Sequence, residues 1–140
     1  MRAVASTMAD APCVKTADPE TDLSEPVLLM VEDNLDILEV FSCAMESFGY
    51  RVVTAQDGVQ ALEHLQGPDR FDYVLSDVSM PGGVSGIEVA RQCATLQPQA
   101  RVILASGHHR DQLPPLPANV RFLSKPYGIP QLMEVLQSAG

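Results

Sequence analysis

Three short apolar runs in this chain stop abruptly in charged chemistry: VLLMV runs into Glu32-Asp33, YVLS into Asp77, and VRFLS into Lys125-Pro126. Runs so short and so rich in leucine and β-branched residues read as parallel strands buried on both faces. In an open α/β sheet the carboxyl ends of such strands face one crevice. The pattern therefore gathers three carboxylates and one ammonium at a single edge. Carboxylates at close range repel one another, so the arrangement calls for a cation among them, and an all-oxygen donor set suits Mg²⁺. With Asp77 as nucleophile, and with the metal and Lys125 neutralising an incoming anion, the natural chemistry is phosphoryl transfer onto a carboxylate.

From Val27 onward, short apolar runs alternate with amphipathic stretches, which predicts five βα units, a parallel sheet and no internal repeat. Asn34 is placed to cap the first helix, whose stripe is Leu38, Phe41, Met45 and Phe48 and whose stop is Gly49. RVVTA at 51–55 reads as the second strand. The second helix follows from about Asp57, with Ala61, Leu62 and Leu65 inward and Gly67-Pro68 as its break. The third strand spans Tyr73 to Ser76. A third helix is expected after Ser85-Gly86 and before Pro98, and RVILA at 101–105 is the fourth strand. Pro130 suits the first turn of the last helix, whose inner face is Leu132, Met133 and Leu136. Between Gly107 and Asn119 stand His108, His109, Arg110 and the prolines Pro114, Pro115 and Pro117. A proline inside a helix costs about 3 kcal/mol, so any fourth helix there is short or irregular. The adjacent histidines read as solvated loop residues in preference to a metal pair.

Length and charge narrow the function. The 140 residues suffice for one domain with one core. Nine basic against eighteen acidic side chains leave a formal charge of −9, which argues against binding nucleic acid through a basic surface. No apolar stretch approaches the roughly 18 residues that span a bilayer, and the amino terminus lacks the build of a signal peptide. The expectation is a cytoplasmic protein without membrane contact. Residues 1–25, rich in Ala, Thr, Ser, Asp and Pro without periodicity, are expected to form a disordered leader dispensable for folding, ahead of a domain at 26–140. Met8 is a possible alternative start. The three cysteines, Cys13, Cys43 and Cys93, show no metal-ligand spacing and read as inert thiols.

The motifs together resemble the receiver domains of two-component response regulators, over about Pro26 to Gly140. VLLMVEDN is similar to the family's first strand and acidic pair, YVLSDVSMPGG to its phosphoacceptor strand and loop, VILASG to its hydroxyl-bearing strand, and FLSKPY to its last strand and lysine. The resemblance implies a flavodoxin-like (βα)5 doubly wound sandwich with a parallel sheet of order 2-1-3-4-5. It makes Asp77 the phosphoacceptor and assigns Mg²⁺ to Asp33, Asp77 and the backbone carbonyl of Ser79, with Glu32 assisting through a water. Ser106 would hydrogen-bond a phosphoryl oxygen, Lys125 would pair with the same group, and Phe122 takes the aromatic switch position. The Lys125–Pro126 peptide would be cis. The donor would be a histidine kinase or a histidine phosphotransfer protein, and the product a phosphorylated switch with no turnover of substrate. The loop VSMPGGVSG is one residue longer than the commonest form and looks like receivers attached to hybrid histidine kinases.

Taken singly, each of these residues has a plainer reading. An acid at a strand end is ordinarily a solvated turn or a helix cap, Ser106 alone could end a strand, and Phe122 could be core packing. Lys125 is the one lysine after Lys15, the other basic residues from Arg51 on being arginines, so a flexible point charge at that place is suggestive. An aspartate-nucleophile phosphatase would resemble D-x-D, but Ser79 holds the place of its general acid. A flavodoxin-like nucleotide binder would need a Gly/Ser/Thr-rich loop after the first strand, where EDN stands. A pseudo-receiver would lack an acid or the lysine. The chain stops after the last helix, so signalling is expected to go through protein contacts or by passing the phosphoryl group on, and the leading Met and acidic leader favour a stand-alone protein, expected as a monomer. The alternative is the terminal receiver of a hybrid kinase.

Overall fold

The computed structural model describes residues 25–80, 83–107 and 120–139. The leader with Met8 and Cys13, and the segment with His108, His109 and the three prolines, lie outside the described residues, and so does the expectation of an irregular fourth helix. Five strands form one parallel sheet: β1 (Val27–Val31), β2 (Arg51–Ala55), β3 (Tyr73–Asp77), β4 (Arg101–Ser106) and β5 (Val120–Ser124). Their order is β2-β1-β3-β4-β5, the flavodoxin-like order expected. The helices are α1 (Leu35–Ser47), α2 (Gly58–Gln66), α3 (Gly86–Leu96) and α4 (Ile129–Ala139).

Side chains alternate across a strand, so each buried strand feeds two cores. Leu29, Val31, Val74, Val102 and Leu104 face α2 and α3, where Ala61, Leu65, Val89 and Cys93 close the layer. Leu28, Met30, Leu75 and Ile103 face the other way, against Leu38 and Met45 of α1 and Leu132 and Leu136 of α4. The three-layer sandwich follows from the period-two pattern of strands that are apolar on both sides.

The helix ends obey local chemistry. Asn34 Oδ1 accepts hydrogen bonds from the N–H groups of Asp36 and Ile37 at 3.0 and 3.2 Å, Asp57 accepts from Gln60 N–H at 2.8 Å, and Ser85 from Glu88 N–H at 3.2 Å. Each satisfies a donor that a first helical turn leaves orphaned. Gly49 follows α1 at φ +97°, a conformation glycine adopts without strain. One expectation fails here: Phe48 does not join the buried stripe but is 55% exposed, because it is the C-cap residue, beyond the last helical position. Cys93 is buried and free, with burial pushing its thiol up to about 11, so it is inert as expected. Cys43 departs from that expectation: it is disulfide-bonded.

Gln97, fully buried at the end of α3, ties three segments together. Its side-chain oxygen accepts from Phe71 N–H at 2.9 Å, and its amide donates to Leu65 O at 3.1 Å and Asp69 O at 2.8 Å. The carbonyl of Leu65 is one of those that the end of α2 leaves without an intrahelical partner. Gln97→Met keeps the volume but strands these polar groups, and the expected cost is roughly 2–3 kcal/mol. A urea titration checks this as a lower midpoint at unchanged slope.

Candidate functional site

The register of the sheet assembles the site. Val31 pairs with Ser76 and Asp77 with Ala105, so the residues that follow β1 stand beside the end of β3. Glu32, Asp33 and Asp77 each present a carboxylate oxygen, all within 4.8 Å of one another. Ser106 pairs with Ser124, and the N–H of Lys125 donates to Ser106 O at 2.8 Å. Lys125 then reaches back over the edge, and its Nζ lies 2.7 Å from Asp77 Oδ1. The Lys125–Pro126 peptide is cis.

Burial differs sharply among these groups. Asp77 is 4% and Glu32 7% exposed, whereas Asp33 is exposed and the Lys125 side chain retains 38% of its surface. Glu32 Oε2 accepts from Asn34 N–H at 3.0 Å, so Asn34 both caps α1 and orients the first acid. Burial pushes the Glu32 carboxyl up to about 7. The Asn34 N–H opposes the rise, the charge of Asp77 and a hydrogen bond with it add to it, and Lys125 counteracts in part. Tyr127 stacks edge-on against Phe41 of α1 with ring centroids 5.4 Å apart. Its hydroxyl is raised above the usual tyrosine range by burial, then by the charges of Asp77 and Glu32.

Three hard oxygen donors converging on a few ångströms fit a divalent cation that prefers oxygen and keeps several waters, as Mg²⁺ does. The cluster brings together Glu32, Asp33 and Asp77, with Lys125 on its rim. Ser106 is buried at the end of β4, next to that rim. Ser79 is exposed two residues beyond Asp77. Phe122 is half-buried opposite Leu104 on β5 and is a member of neither buried cluster among the described residues. Sequence reasoning overlooked the orienting role of Asn34 toward Glu32 and the placement of Tyr127 beside the acids. The sequence signals were present, as Asn34 two residues after an acid and an aromatic two residues after Lys125.

The response regulator receiver domain model matches residues 28–137, and the chain belongs to that family. The response regulator receiver protein CpdR of Brucella abortus is 30% identical over 113 residues, covering 79% of this chain and 92% of CpdR. The sensor kinase CckA of the same organism is 34% identical over 131 residues, which is 88% of this chain but 14% of the kinase. Among solved structures, the response regulator TrrA of Thermotoga maritima, crystallised with Mg²⁺ and BeF, has a TM-score of 0.71 at 28% identity, covering 82% of this chain and 99% of that one. Among the described residues no helix is long and apolar enough to cross a membrane.

The raised Glu32 pKa has a pH signature. Without metal, the folded protein keeps this proton up to about pH 7, whereas the unfolded chain releases it near 4.5. Stability attributable to Glu32 is therefore full below that window and falls as pH rises through it. Thermal melts in a chelator at several pH values between 5 and 8 should show wild type losing stability relative to Glu32→Gln as pH rises. Saturating Mg²⁺ should abolish the difference in slope, because a bound cation favours the ionised carboxylate.

Proposed function

We propose that the chain is a phosphoacceptor switch of a two-component phosphorelay, taking a phosphoryl group onto Asp77 from a histidine kinase or a histidine phosphotransfer protein. The observation that carries this reading is a carboxylate held almost out of water, with an ammonium at 2.7 Å and two further carboxylates within 4.8 Å. A buried carboxylate can attack an arriving phosphoryl group where nearby positive charge stabilises the transferred anion.

In the reaction a carboxylate oxygen of Asp77 attacks the donor's phosphorus. The new O–P bond forms as the P–N bond of the phosphohistidine breaks, and the departing imidazole nitrogen takes a proton from solvent. Asp33, Asp77 and the backbone carbonyl of Ser79 are the residues to hold Mg²⁺, with Glu32 acting through a water; when bound, the ion supplies charge neutralisation around the transferred group. Lys125, already paired with Asp77, moves its charge to the phosphoryl oxygens, and the Ser106 hydroxyl donates to one of them. Drawing Ser106 and Lys125 toward the new charge displaces the ends of β4 and β5, and the half-buried Phe122 is the aromatic that turns inward as the switch.

The product is a modified protein and not a released molecule, so the reading is a switch, undergoing only self-phosphorylation and self-dephosphorylation. We further assign residues 26–140 to the receiver domain, in a cytoplasmic monomer that contacts neither nucleic acid nor membrane. Signalling passes by protein contacts or by onward phosphotransfer. The likeness to CckA, confined to 14% of that kinase, supports a second context, the receiver of a hybrid histidine kinase, with the same chemistry at Asp77.

Acetyl phosphate labelling with Mg²⁺, read by intact mass, tests the site. Wild type should gain one phosphoryl group and Asp77→Asn none. Undiminished labelling of that variant would remove the proposal.

A further inference from the structure

The carboxylate of Asp77 can be aimed only if the backbone that carries it is fixed. Besides the ladder to Ala105 of β4, that backbone is contacted by two residues with no place in the chemistry above. Gly86 opens α3 directly over the Asp77 peptide. Its N–H donates to Val78 O at 2.8 Å, and a Cβ built on it would lie 2.0 Å from Asp77 O, 2.8 Å from Asp77 C and 3.0 Å from Ser76 Oγ. Carbon atoms in ordinary contact stand about 3.5–4.0 Å apart, and the two nearest atoms are main chain, which cannot rotate aside. Conformation is not the reason for glycine here, because the positive-φ glycines among the described residues are Gly49 and Gly83. At an early helical position alanine would otherwise be preferred. Space alone demands a residue without a side chain.

Ser76 supplies the second contact. Its side chain is fully buried, and its hydroxyl donates to Asp77 O at 2.9 Å. The same carbonyl is therefore held by a hydrogen bond and overlaid by the first turn of α3. We propose that Gly86 and Ser76 are positioning residues that clamp the Asp77 peptide, and thereby set the direction of the phosphoacceptor carboxylate toward Lys125 and the incoming phosphorus. The inference rests on the phosphoacceptor reading of Asp77. Near-attack geometry is sensitive enough for such a clamp to matter, since misplacement of a reacting atom by about 1 Å can cost on the order of 100-fold in rate.

The test measures acetyl phosphate labelling rates per folded molecule in saturating Mg²⁺ for wild type, Gly86→Ala, Ser76→Ala and Val89→Ala, with urea midpoints for each. Val89 lies on the same helix and is fully buried in the core layer with Leu29, Val74 and Cys93, so its truncation serves as the control for loss of stability alone. Gly86→Ala should label on the order of 10- to 100-fold more slowly, Ser76→Ala several-fold more slowly, and Val89→Ala at the wild-type rate. Wild-type labelling by folded Gly86→Ala overturns the inference, and so does equal slowing in Val89→Ala, which would mark the effect as loss of stability alone. If Gly86→Ala does not fold, Ser76→Ala decides, because it removes one atom and adds none; labelling at the wild-type rate then overturns the clamp. Absence of labelling in wild type would instead defeat the reading of Asp77 as phosphoacceptor.

Discussion

Repulsion among Glu32, Asp33 and Asp77 is the constraint that the rest of this structure answers. Two unit charges 4 Å apart interact by about 4 kcal/mol at the effective dielectric of a protein surface, and here three carboxylates converge within 4.8 Å with two of them buried. The described residues offset this in two ways. Lys125 brings a cation to 2.7 Å from Asp77, and Glu32 responds to its desolvated place by holding a proton to about pH 7. A site that shares one ammonium and one proton among three acids is poised for a further positive charge, and equally for an exchange in which the ammonium turns to a new anion. The same unfavourable electrostatics favours a divalent cation at this place, and it underlies the switch proposed for Asp77.

The register of the sheet is set by burial on both faces, and the site depends on that register. Successive side chains of a strand point to opposite faces, so a slip of one residue between β1 and β3 would turn Leu28, Leu29 and their neighbours to the wrong layers. Core burial therefore enforces the pairing Val31↔Ser76, and the acids ride on it at the strand ends. The outer strand β5 adds Lys125 through the same mechanism, since the pairing of Ser106 with Ser124 places the next N–H on Ser106 O. Hydrophobic packing sets the position of each charged group to within a hydrogen-bond length. The charged groups themselves contribute little to holding the sheet.

What could be read in the sequence was what has a local signature. Strands announced themselves as apolar runs, α1 as a cap followed by a periodic apolar stripe, α3 as the stretch between Ser85-Gly86 and Pro98, and Asp77 and Lys125 as charges at strand ends. Phe48 misled because periodicity continues for one residue past the point where the α1 hydrogen bonds stop. Gln97 gave no warning, since a single glutamine ahead of a proline does not reveal that its amide will meet Leu65, Asp69 and Phe71. Gly86 was legible as a helix opener and no more. The requirement it meets is a contact with a main chain nine positions earlier, and such a contact is a property of packed layers, invisible to any count of neighbouring residues.

The restraints on the site are unequal, and on the proposed reading the inequality gives the switch a direction. On the β1 and β3 side, Asn34 holds both Glu32 and the first turn of α1, while Ser76 and Gly86 enclose the Asp77 carbonyl. On the β5 side, Lys125 extends from an edge strand with its side chain 38% exposed, and Phe122 lies outside both described apolar clusters. On the proposed reading, a new charge on Asp77 would pull on every group around it, and displacement would go where the opposing stiffness is least. Among the described residues, Asn34, Ser76 and Gly86 hold their side of the site, so the half-exposed Lys125 is the group expected to follow.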